Sequence, residues 1–119
     1  MASIVSLDEA KAYLRVDSSF EDGLISSLLS SAGSYCMDVA RLSAAEWEAI
    51  ADYGQEADDP LAIRGEEKTP GEVARIKELL RVGILYALGY LYEHREEADH
   101  HDLALTLRNL LFSIREGVV

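Results

Sequence analysis

The chain has 119 residues, of which 49% are hydrophobic and 28% charged, a balance that suits a folded domain and excludes a disordered one. Its 22 acidic and 11 basic side chains leave a formal charge of -11, and its arginines are scattered singly, which weighs against sequence-specific nucleic-acid binding, a role that needs a clustered basic footprint. The lone cysteine, Cys36, rules out an intrachain disulfide and, beside Tyr35 and Met37, reads as a small buried apolar residue and not as a nucleophile.

Met1 to Asp8 lacks the basic start and long apolar stretch of a signal peptide, so the chain is expected to be intracellular when made. Ser6 with Glu9 three residues later has capping-box spacing. It opens a short helix with Leu7, Ala10 and Leu14 on one face, ending near Arg15. A second, longer helix carries Phe20, Leu24, Leu28, Ala32, Tyr35 and Val39 at helical spacing. Serines fill much of its other face, so packing on the apolar stripe has to hold it.

Ser43-Ala44-Ala45-Glu46 is another capping box, for a short helix to about Ala51 anchored by Trp47 and Ile50. From Asp52 to Thr69 the composition turns polar, with Gly54, Pro60 and Gly65, and a long loop excursion is expected within one domain spanning 1–119. Thr69-Pro70-Gly71-Glu72 restarts the chain with a capping threonine, a first-turn proline and a glutamate at the third position. The helix that follows is expected to reach about Glu96. Between Leu79 and Tyr92 every residue except Arg81 is apolar, aromatic or glycine.

A helix apolar on all sides has to be covered on all sides. The run is too short to span a membrane, so it is either the central helix of the fold or partly an interface between subunits. Gly83 and Ala87, four apart, would let another helix come close. After a charged turn over Glu93 to Asp102, Asp99 is a candidate cap for a last helix with Leu103, Leu107, Leu110, Leu111 and Ile114 inward. Leu105 and Phe112 fall off that stripe. The expected fold is all-α: a small bundle of four to five helices, a long central apolar helix and one long polar loop.

Catalysis finds no residues to carry it. The His- and carboxylate-rich stretch Glu93 to Asp102 has no metal-protease spacing and reads as a solvated turn. Glu93 and Glu96 make half of the acidic motif of helical nucleotide pyrophosphohydrolases, with no second pair to complete it. Asp17 to Gly23 begins like a calcium loop but has Leu28 where a bidentate glutamate is required. No cofactor, no metal and no enzyme activity is therefore expected.

Taken in order, several pieces resemble one family. They are Ser6-Leu7-Asp8-Glu9-Ala10-Lys11-Ala12-Tyr13-Leu14-Arg15-Val16-Asp17, then Glu21-Asp22-Gly23-Leu24-Ile25 and Ser34-Tyr35-Cys36, then Tyr92-Glu93-His94-Arg95-Glu96, and Leu107 to Arg115. Together they are similar to the head–tail connector (neck, or adaptor) proteins of long-tailed bacteriophages and prophages, over all but about 42–69. The resemblance implies an all-helical subunit of a closed, dodecameric ring beneath the portal protein. That ring would extend the DNA channel without binding DNA specifically, offer a platform to a downstream neck or tail protein, and reside in the virion neck. No membrane partner is implied. Tyr86, Tyr90, Glu93, Arg95, Leu105 and Phe112 are the candidate subunit-interface residues, the aromatic ones because such side chains dominate protein contacts. The competing expectation is a small acidic helical regulator, such as a DNA mimic, which would present its carboxylates in a regular array.

Overall fold

A computed structural model describes residues 3–54, 58–94 and 100–116. In chain order it has α1 (Leu7–Leu14), α2 (Asp22–Ala40), α3 (Ala44–Asp52), strands β1 (Leu61–Ile63) and β2 (Glu66–Lys68), α4 (Pro70–Glu93), α5 (His101–Leu110) and α6 (Phe112–Glu116). The fold is predominantly helical, as expected.

The helix starts form where the capping chemistry places them. Ser6 Oγ accepts from the Glu9 N–H at 3.1 Å. Full capping boxes close α3 through Ser43 and Glu46 and α4 through Thr69 and Glu72, each side chain bonding the other residue's backbone N–H. Helices α1 and α2 stop differently, on Arg15 and Arg41 in the left-handed region with φ 60° and 59°. In both, the following N–H reaches back to a carbonyl five residues earlier, Val16 to Lys11 at 2.9 Å and Leu42 to Met37 at 3.1 Å. Leu42 is thereby pinned into the core, the apolar contact that accompanies such caps.

Helices α2 and α4 form the central pair, with α1 and α5 packed on both, α6 on α2, and α3 and β2 on α4. Ile25, Ala32 and Cys36 of α2 meet Ile76, Leu80, Ile84 and Leu88 of α4 in one core, joined by Ala10, Ile50, Leu103, Leu107 and Leu111. Each large side chain fully buried there contributes about 2 kcal/mol of transfer free energy. Gly83 and Ala87 are used inside the molecule: a β-carbon at Gly83 would stand 3.3 Å from Leu111 Cδ2 and 3.4 Å from Cys36 Sγ.

Three details differ from the sequence expectation. The polar excursion contains a β-hairpin with Leu61 opposite Lys68 and Ile63 opposite Glu66. Arg64 and Gly65 both have positive φ, 55° and 79°, the backbone of a two-residue type I′ turn. Ile63 and Lys68 face inward and hold the hairpin on the body. The last helix is broken at Leu111 into α5 and α6, and α4 ends at Glu93 with His94 as its cap. The residue preceding α5 is His100; Asp99 lies outside the described residues.

Candidate interaction surfaces

The apolar run of α4 is largely covered by its own chain. Leu80, Gly83, Ile84, Leu85, Ala87, Leu88 and Leu91 are buried, but one stripe stays open. On it Val82 is 42% and Tyr86 41% exposed. Beside them Tyr13 of α1, itself half-exposed, lies over Gly89, its Cε2 3.2 Å from where a β-carbon would be. Arg81, the one charge in the run, turns to α1 instead, where its Nε meets Glu9 at 2.5 Å, and Tyr92 donates to Glu21 Oε1 at 2.6 Å.

A second apolar surface lies on the outer side of α5 and α6. Leu103 and Leu107 point into the core, so Leu105, half a turn away, points out at 45% exposure, and Phe112 follows at 56%. Arg108 stands between them, exposed. Phe20, just before α2, is 95% exposed and is left out of the core the described residues form.

Of the six candidate interface residues, Tyr86, Leu105 and Phe112 are therefore on open surface. Tyr90 is half-buried, its ring 4.3 Å from His94 and edge-on to His100 at 6.0 Å, with Tyr35 edge-on to His100 at 6.2 Å. Glu93 is exposed at the end of α4. Arg95 lies outside the described residues, as does the middle of the charged turn. Among the described residues no group of His, Cys, Asp and Glu is placed to hold a metal ion. No described helix is long and apolar enough to cross a membrane.

The arginines are less scattered in space than in sequence. Arg64 and Arg115 meet at the end of α2 that carries Arg41, and desolvation, then the charges of Arg41 and Arg108, against that of Glu116, and of Arg64 lower the pKa of Arg115. Most of this charge is turned onto helix ends. The Arg64 guanidinium donates to the carbonyls of Ala40, of Arg41 (3.2 Å) and of Arg115 (2.8 Å), and Arg115 donates to the Val39 carbonyl at 3.1 Å. These are the unsatisfied carbonyls where α2 and α6 finish, the negative ends of two helix dipoles. Sequence reasoning missed this set because its members are brought together only by the fold.

Burial pushes the Cys36 thiol up to about 12, so it stays protonated and inert in the folded chain. An open groove of about 490 Å³ runs along α2 between the N-terminal segment and α3. Leu29, Met37 and Trp47 form its apolar floor, and Ser26, Ser30 and Ser34 its edge.

A helical body that leaves large apolar side chains outside on several elements offers surface on which other proteins could pack. Which assembly it serves follows from sequence comparison: the family model for the phage gp6-like head-tail connector protein matches residues 4–116, and the chain belongs to that family. The family is a structural one, and its role is at the phage head–tail joint. Comparison with curated proteins and with solved structures gave no match.

Proposed function

We propose that this chain is the subunit of a closed ring seated between the capsid portal and the tail, acting as one domain over 1–119. The ring extends the channel through which DNA passes and completes the joint on which a downstream neck or tail protein sits, so the working location is the virion neck. The observation that carries this reading is the uncovered apolar surface on different elements, Val82 with Tyr86 on α4 and Leu105 with Phe112 on α5 and α6. Two unlike patches on one subunit favour head-to-tail contacts, and such contacts close into rings when the rotation is right.

Tyr86, Leu105 and Phe112 are assigned to contacts between subunits. Tyr90 supports that face from within its aromatic cluster, and Glu93 and Arg95 are assigned to pairing across the boundary. The charge of -11 suits a conduit, since a wall that repels phosphate lets DNA slide without sticking.

Electron micrographs and mass measurement of the purified chain, alone and with its portal, test this directly. The expected result is a ring whose copies can be counted. Phe112→Asp should abolish the ring while leaving far-UV helicity unchanged, because a buried, unpaired carboxylate cannot be accommodated at an apolar contact. A chain that remains monomeric with and without portal overturns the ring.

A further inference from the structure

The ring reading says that unlike faces meet, and the structure offers a specific pair. The groove along α2 has an apolar floor of Leu29, Met37 and Trp47, which an apolar side chain can cover at little desolvation cost, while the serine hydroxyls stay at its edge. Glu48 stands on its lip. Among the described residues this carboxylate has no ion-pair partner.

On the outer side of α5–α6, Leu105 and Phe112 form an apolar ridge with Arg108 between them, and Arg108 likewise pairs with no carboxylate among the described residues. Leu105 and Phe112 are seven residues, about 10 Å, apart along the helices, within the roughly 16 Å from Ser26 to Met37 along the groove.

Groove and ridge face away from each other. Gly33 and Tyr35, two residues apart on α2, point to opposite sides of the helix. At Gly33 the Trp47 ring lies 3.8 Å from a β-carbon position, whereas Tyr35 meets His100 at the start of α5. The groove with α3 thus occupies one flank of α2, and α5 with its outward ridge the other. The ridge cannot fill the groove of its own chain.

We infer that the α5–α6 ridge of one copy docks into the α2–α3 groove of the next, with Arg108 of the entering ridge pairing with Glu48 on the receiving lip. This rests on the ring reading and adds to it a receiving surface for the ridge, beside the contacts assigned to Tyr86. The contact combines apolar burial with one charge pair that sets register, and it repeats head to tail.

Charge reversal tests it. Glu48→Lys and Arg108→Glu, both on the surface, should each weaken self-association by at least about tenfold with unchanged circular dichroism. Mixing the two variants should restore association, because each groove then meets a ridge of opposite charge. In the full chain carrying Ser30→Cys and Phe112→Cys, mild oxidation should give a ladder of covalent oligomers, with the buried Cys36 staying out of the reaction. Rings that assemble normally in both charge variants and give no ladder overturn this pairing and leave the ring intact. Loss of portal binding with self-association unchanged overturns it too, by giving the groove to the portal. Absence of any oligomer in the unsubstituted chain overturns both.

Discussion

Arg64 shows how much one side chain can tie together. Its backbone sits at positive φ in the hairpin turn, its N–H donates to Glu46 Oε2 at 2.7 Å, and its guanidinium closes the carbonyl ends of α2 and α6. Three charge-assisted bonds outweigh a left-handed penalty of about 1 kcal/mol. Arg64→Ala keeps the penalty and loses the bonds, so urea unfolding should show a loss of about 2 kcal/mol. Arg64→Gly loses the same bonds but relieves the backbone, and should cost about 1 kcal/mol less than the alanine variant. Equal losses in the two variants would mean that the positive φ costs nothing here and that the guanidinium bonds account for the whole effect.

Among the elements, α3 and α4 depend on carboxylates in their first turns. The Ser43 N–H holds Glu46 below its ordinary value of 4.5; desolvation, the next largest effect, opposes it, and the Arg64 N–H, the Ser43 hydroxyl and the Arg64 charge add to the lowering. Glu72 is lowered in the same way, first by the Thr69 N–H and then by its hydroxyl. A carboxylate with a depressed folded-state pKa stabilises the fold above its ordinary value, and that contribution fades as pH falls through the folded value. Glu46→Gln with Glu72→Gln should therefore be less stable than the parent at neutral pH, with the gap narrowing as pH falls below 4.5. Denaturant midpoints across that range decide it; a gap that does not narrow on acidification rules the effect out.

The sequence registers these two helices as well as it does because a cap is a local arrangement, complete within four residues. The hairpin escaped for the opposite reason. Its strands have three residues each, too few for alternation to show, and Lys68 is buried through its contact with the body and not through its own character.

For the molecule as a whole, the question is which apolar side chains the fold itself needs. Phe20, at 95% exposure, is the clearest that it does not need. Phe20→Ser should leave the unfolding free energy within about 0.5 kcal/mol of the parent while lowering the yield of joined heads and tails in an assembly assay. A destabilisation well beyond that figure would show that Phe20 belongs to the core after all. The central helix makes the same point at larger scale. Its neighbours α1, α2 and α5 wrap most of it and stop short of Val82 and Tyr86, which is the stripe the proposed ring would cover.

By itself the sequence determined the helical class, the order of the main helices, the apolar character of α4 and the resemblance to head–tail connectors, because each is written in neighbouring residues or in their periodicity. Tertiary structure alone decided which side of α4 stays bare, that Tyr90 turns into a cluster with two histidines, and that Arg41, Arg64 and Arg115 meet at the ends of α2 and α6. Those outcomes depend on which helix packs on which flank, and one-dimensional spacing carries no record of that.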